Sequence, residues 1–297
     1  MMTLPNSIER DAPLSRLTTV GTGGPARYLG RPTREAALLE MLAWAAQQGV
    51  AIAVVGLGSN LLPADAGYDG LVLHLEGEFT AITVSSTGAV VGGGASLAAV
   101  VHKVGEAGLT GFEFACAVPG TVGGAVRMNA GAYGSEIRDV LLRARVCDAQ
   151  GTHVLALDEL GLAYRHSNLP SGAVVTQAEI RLSEDDPTAI TARVRAMQGQ
   201  RSAAQPRKAR TFGSVFKNPL GDRTSGQILE ACGLKGLQIG GARIAEKHAN
   251  FIENTGGATS ADVVALMVEA RRRALAQFDV RLEHEVHLLG PIEIPPL

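Results

Sequence analysis

The chain has 297 residues, 46% of them hydrophobic and 19% charged, which is enough to bury a sizeable core and to divide into two or three domains. A formal net charge of −2 gives no global attraction to nucleic acid or to an anionic membrane, and aromatics at 4% are too sparse for single-strand stacking platforms. No apolar run approaches the ~18 residues of a membrane span, residues 1–13 lack an apolar leader, and Cys116, Cys147 and Cys232 form no CxxC pair. The expectation is a cytoplasmic, monomeric protein with free thiols, no nucleic-acid partner and no membrane insertion.

In chain order, residues 33–48 read as a helix, with Thr33 as its cap, Ala36, Leu39, Leu42 and Ala43 at helical spacing, and Gly49 as its stop. Residues 50–55 follow as a buried strand leading into Gly56-Leu57-Gly58-Ser59-Asn60-Leu61-Leu62. From Gly70 the texture changes. Short strands are expected at 71–75, 81–84 and 89–91, then a helix over 96–107 closed by Gly108. Further strands at 140–148, 153–157 and 174–182 make this an α+β region with a mostly antiparallel sheet. A basic amphipathic helix at 188–200 precedes the proline-bearing linker Gln205-Pro206-Arg207-Lys208-Ala209-Arg210. A third unit holds helices near 225–232 and from Thr259 or Ser260 to about 278, and residues 280–289 alternate as a final strand.

Two glycine-dense loops carry the first functional signal. One is Val55-Gly56-Leu57-Gly58-Ser59-Asn60-Leu61. The other is Pro119-Gly120-Thr121-Val122-Gly123-Gly124, running on to Asn129-Ala130-Gly131-Ala132. Neither has a lysine or arginine within its glycine cluster, so both offer backbone N–H groups and small hydroxyls, as a long cofactor with a pyrophosphate requires. Neither is a complete Rossmann or P-loop fingerprint. Gly92-Gly93-Gly94 is a third place where a ligand could approach the backbone, although a strand-to-helix turn explains it nearly as well.

Four other constellations stand out. Gly213-Ser214-Val215-Phe216-Lys217-Asn218-Pro219 is either a surface turn or a strand edge presenting Ser214 as a donor, with Lys217 and Asn218 beside it for an anionic substrate. No Gly-x-Ser-x-Gly elbow surrounds Ser214. Arg165 in Tyr164-Arg165-His166-Ser167 would pair on the surface or clamp a carboxylate. In a strand, Glu283, Glu285 and His287 would share one face. That face could be solvated, could hold a metal, or could supply one glutamate for acid–base chemistry. No metal is expected, because no other His/Cys cluster completes a ligand set.

Taken with Gly23-Gly24-Pro25-Ala26, His248-Ala249-Asn250-Phe251 and Leu282-Glu283-His284-Glu285-Val286, these motifs resemble, along essentially the whole chain, the UDP-N-acetylenolpyruvoylglucosamine reductase family. The resemblance implies an α+β protein: a three-domain FAD-binding fold of the vanillyl-alcohol-oxidase/PCMH type with a small C-terminal substrate-binding α+β domain. The boundaries it suggests are FAD-binding subdomain 1 at 1–69, to which a last strand at 282–297 could return, FAD-binding subdomain 2 at 70–200, and a substrate domain at 201–281. It further implies FAD held without a covalent bond by Val55, Gly56, Gly58, Ser59, Asn60, Leu61, Gly94, Pro119, Gly120, Thr121, Gly123, Gly124, Asn129, Gly131 and Ala132.

The implied reaction is NADPH-dependent reduction of UDP-N-acetylglucosamine enolpyruvate to UDP-N-acetylmuramate, a step in peptidoglycan precursor synthesis. Hydride would pass from flavin N5 to C3 and a proton from Ser214 to C2, with Arg165 and Glu285 stabilising the enolate. Lys217, Asn218, His248 and Asn250 would meet the diphosphate or sugar. No tyrosine follows Tyr164, so the chain resembles the branch without a substrate-binding tyrosine loop, leaving Arg207, Lys208 or Arg210 to grip the diphosphate. Cys116 precedes the second loop, where related flavoproteins sometimes tether FAD; this family does not. Two alternatives are another FAD-dependent oxidoreductase of this fold acting on an alcohol or sugar, and a binding module without catalysis.

Overall fold

The computed structural model describes residues 4–5, 7–206 and 209–296. The chain forms two compact units. The first comprises Met1–Arg10, Tyr28–Leu57 and Gly70–Arg201, and the second Asp11–Arg27, Gly58–Asp69 and Ser202–Leu297. Among the described residues no helix is long and apolar enough to cross a membrane.

In the first unit, helix Glu35–Gln48 buries Leu38, Met41, Leu42, Trp44 and Ala45 and ends at Gly49, whose φ of 64° is the left-handed stop expected of it. Thr33 does not cap this helix. The first-turn N–H of Glu35 is instead met by the Glu78 carboxylate at 2.6 Å, while the Thr33 carbonyl accepts from Glu78 N. A distant acid has taken the role that sequence proximity assigned to the threonine. Strand Ala51–Val54 runs parallel to Tyr68–Leu73, register 51↔70 to 54↔73, in a sheet ordered Ile8–Pro13, Pro25–Gly30, Tyr68–Leu73, Ala51–Val54.

A five-stranded antiparallel sheet follows, ordered Gly151–Ala156, Leu141–Asp148, Val174–Arg181, Gly88–Gly92, Ile82–Ser85. Its inward positions Ala144, Val146, Val175, Ala178 and Ile180 are buried with Leu97, Val100, Val101 and Val104 of helix Leu97–Glu106. Cys147 and Val174 of the same strands are buried instead with Leu71, Leu73 and Trp44. Ser96 caps the helix, accepting from Ala99 N at 3.2 Å.

The second unit centres on helix Ser260–Phe278, whose Val263, Leu266, Met267, Ala270 and Ala274 pack with Phe212, Val215, Phe216, Ile228 and Leu229. Residues 280–286 do not form the expected strand. Only His287–Leu289 does, pairing parallel with Leu61–Pro63, and upstream there is a single bridge between Phe216 and His284. Glu283, Glu285 and His287 therefore do not share a regular strand face, and no group of three His/Cys/Asp/Glu suited to a metal occurs among the described residues.

Candidate active site

Within the first unit the glycine loops meet. The Thr121 hydroxyl sits against Gly56 so closely that a Cβ there would lie 2.3 Å from Thr121 Oγ1. Gly123 N donates to Gly93 O at 2.8 Å, Val122 N to Ala95 O at 2.9 Å and Leu97 N to Gly120 O at 3.0 Å, so the third glycine cluster is stitched to the second loop. Together they border an open cleft. Val55, Gly56, Gly94, Thr121, Gly123 and Gly124, all anticipated for the cofactor, line it. Gly56 is small because another loop packs on it. Gly124 is different: it is exposed, and a Cβ would meet only Thr121 Oγ1, at 3.7 Å. At Gly124 the backbone lies open to a ligand, and such a backbone-lined cradle fits an anionic cofactor.

Two polar side chains on the cleft were missed by sequence reasoning. His74 places Nδ1 2.9 Å from Val55 O; a carbonyl only accepts, so Nδ1 carries the proton. Arg127 lies just past the second loop, at the end of helix Val122–Arg127. It donates to Leu169 O at 3.3 Å, Pro170 O at 3.1 Å and Ala173 O at 2.7 Å. Its position three residues after Gly124 was the available signal, but glycine-cluster reasoning stopped short of it.

Asn129, expected at the cofactor, is turned into the protein. It is 0% exposed with φ 40°, and its amide donates to Ala163 O at 3.1 Å while accepting from Arg138 N at 3.0 Å. Both ends of the side chain are bonded to protein backbone, so it braces the loop. Gly131 and Ala132 form a small hairpin with Ser135 and Glu136, and Gly131 O accepts from Arg165 Nη2 at 3.3 Å. Arg165 occupies a tight turn closed by Ala163 and His166, at φ 55°, with its guanidinium 4.8 Å from the Tyr164 ring. A left-handed arginine is unusual and worth a functional hypothesis. Cys116 keeps its proton, because burial pushes the thiol pKa up.

The remaining residues belong to the second unit. Gly58 O accepts from Thr19 N, and Asn60 reaches back to the C-terminal segment, donating Nδ2 to Glu285 O at 3.2 Å and accepting from His287 N at 3.0 Å. Leu61 pairs with His287. Gly213, at φ 81°, turns the chain before Ser214. Val215 is then bonded on both sides: its N–H to Asn250 O at 2.9 Å and its carbonyl from Glu285 N at 2.8 Å. Lys217 N likewise donates to Glu283 O at 2.9 Å. Ser214 and Glu285 are thereby brought together from positions far apart in sequence.

Asn250, expected near the substrate, braces the serine segment. Only 4% exposed, it accepts from Phe216 N at 2.9 Å and donates to Phe216 O at 2.8 Å. His248 accepts from Asn250 N at Nδ1, and burial, then Lys235, lowers its pKa, so it is neutral with its proton on Nε2. Asn218 Oδ1 accepts from Ser225 N at 3.1 Å; Lys217 Nζ stands 3.4 Å from the Glu283 carboxylate. Arg210 is exposed and its backbone pairs with Asn254, whereas Arg207 and Lys208 lie outside the described residues.

Comparison with known proteins bears on both regions. Residues 26–156 match the FAD binding domain, and residues 205–289 match the C-terminal domain of UDP-N-acetylenolpyruvoylglucosamine reductase. The chain is 41% identical to the UDP-N-acetylenolpyruvoylglucosamine reductase of Azorhizobium caulinodans, covering 97% of this chain and 93% of that one. Identity to the reductase of Anaeromyxobacter dehalogenans is 43%, over 97% and 86% of the two chains. The chain belongs to the UDP-N-acetylenolpyruvoylglucosamine reductase family. The crystal structure of the Thermus caldophilus reductase is similar, with a TM-score of 0.82 and 36% identity over 95% of this chain and 98% of that one. This family member is accordingly an FAD-containing oxidoreductase. The cleft lies mostly within its FAD-binding match, and the serine, lysine and glutamate lie within its C-terminal match.

Proposed function

We infer that the protein reduces UDP-N-acetylglucosamine enolpyruvate to UDP-N-acetylmuramate at the expense of NADPH. FAD, when bound, would take two electrons from NADPH and supply hydride to C3 of the enolpyruvyl group. The cradle of Val55, Gly56, Gly94, Thr121, Gly123 and Gly124 would hold it, through backbone N–H groups and one hydroxyl. The three domains read from the sequence, with the third closing over the nucleotide sugar, belong to the same proposal.

The observation carrying this reading is the pairing of the serine and glutamate segments through Val215, with Glu285 N to Val215 O at 2.8 Å. Addition of hydride at C3 leaves a carbanionic enolate at C2, beside a carboxylate. Such a centre needs a positioned proton and positive charge. Ser214 is the proton donor to C2: a weak acid in water, but one whose backbone is held on both flanks and whose proton is taken by a strong base. Glu285 stabilises the enolate beside it. Arg165 supplies the bidentate positive charge for the carboxylate.

Lys217, freed from Glu283, and the Nε2–H of His248 serve the diphosphate or sugar. Asn250 contributes by holding Phe216. The direct experiment is turnover of the purified flavoprotein with NADPH and the enolpyruvyl nucleotide, against a panel of alcohols and sugars. Turnover of the panel without the nucleotide would assign a different substrate class.

A further inference from the structure

The FAD cleft contains one charge that the glycine loops do not. Arg127 lines it, and every bond its guanidinium makes is to a backbone carbonyl: Leu169 through Nη1, Pro170 and Ala173 through Nη2. The Nε–H and the second Nη1–H have no protein partner among the described residues, and no carboxylate there lies within ion-pair distance. Burial alone displaces its pKa, downward, with no acid opposing the effect. A half-buried cation without an acid loses hydration that an anion in the cleft would replace. Arg193 and Arg145 of this unit have an acid, meeting Glu113 and Glu35 at 2.8 Å. Burial lowers the pKa of Arg201 as it does that of Arg127, with no carboxylate among the causes; of these last two only Arg127 lines the cleft. The contrast marks Arg127 as a cation whose partner is not part of the chain.

We propose that Arg127 is the counter-charge for the diphosphate of FAD, and that its carbonyl-fixed fork positions the cationic head on the cleft wall. The inference rests on the reading that this cleft holds FAD. Backbone amides bind a diphosphate through many weak dipoles, and a single fixed guanidinium adds the long-range, salt-sensitive part of the attraction. The three carbonyls carry partial negative charge and keep the head from turning to solvent. They also tie helix Val122–Arg127, and with it the second glycine loop, to the 169–173 turn whose Ala173 lines the same cleft.

The test is titration of full-length apoprotein with FAD and, separately, with ADP, which carries the diphosphate without the flavin, at low and high salt. Arg127→Met keeps the stem and removes the charge; Arg127→Lys keeps the charge. Arg127→Met is expected to weaken FAD and ADP alike, by about 10- to 100-fold, and to flatten the salt dependence of both. Arg127→Lys should retain most of the affinity and the salt slope. Equal losses in both variants would reduce Arg127 to a brace for the 169–173 turn and overturn the proposal. Unchanged binding by Arg127→Met, or a loss for FAD without one for ADP, would also overturn it. Failure of the wild-type apoprotein to bind FAD would instead remove the underlying reading of the cleft. If Arg127→Met does not fold, Arg127→Lys and the wild-type salt slope still decide, and a salt-independent wild-type affinity contradicts the proposal.

Discussion

Asn129 and Asn250 carry the same functional group, sit beside functional motifs and were both expected to touch ligands, yet each spends its amide on backbone. Side-chain type and motif position are visible in sequence; which two backbone groups an amide will satisfy is decided by elements that arrive from elsewhere in the chain. Asn250→Ala would leave the N–H and C=O of Phe216 without partners in a buried site, costing about 2–4 kcal/mol. Chemical denaturation should show that loss, with kcat falling as well because the serine segment loosens. Asn250→Asp would keep the acceptor and lose the donor, and should fall between wild type and alanine. Ser214, Arg165 and Glu285 stand out in the sequence as candidates because their motifs are distinctive. Arg127 does not, because nothing near it announces that its head turns to carbonyls at 169–173.

Helix ends and glycine stops were the most readable elements. Thr259 and Asp262 form a reciprocal capping box at the start of Ser260–Phe278, and Asp65 adds acceptors for Ser260 N at 2.8 Å and Ala261 N at 2.9 Å. Thr259→Ala should therefore cost about 1 kcal/mol, at the ordinary value for a cap, because the aspartate shares the load. The strand expected over 280–289 shrank to His287–Leu289 because alternation describes side-chain faces, while a strand also needs a partner edge, and only Leu61–Pro63 supplies one. The Glu113 cluster gives a pH signature. Burial raises the pKa of this carboxyl, but bonds from Thr110, the backbone at Glu113 and Gly111, and Arg193 outweigh it, so the net shift is below the ordinary 4.5. A carboxylate depressed on folding stabilises above its unfolded pKa and loses that contribution as pH falls through the folded value. Thermal melts of wild type and Glu113→Gln should differ most near neutral pH and converge as the pH drops below about 4.5. A gap that widened on acidification would contradict the assignment.

At the scale of the whole molecule, the candidate residues are divided by unit: Val55, Gly56, the second and third glycine clusters, His74, Arg127 and Arg165 belong to the first, and residues 58–61, Ser214, Lys217, His248 and Glu285 to the second. The cofactor half was legible because backbone-binding loops are written in glycine. The reaction half was legible only as motifs, since the pairing of residues 213–217 with 283–285 spans most of the second unit's sequence. The central claim is that Ser214 delivers the proton that completes reduction at C2. It is tested by loading the Ser214→Ala protein with FAD, reducing it with NADPH and following flavin reoxidation by the enolpyruvyl nucleotide in a single turnover. Reduction by NADPH should proceed at the wild-type rate, and reoxidation should slow by roughly 10²- to 10⁴-fold. Reoxidation at the wild-type rate would contradict the account.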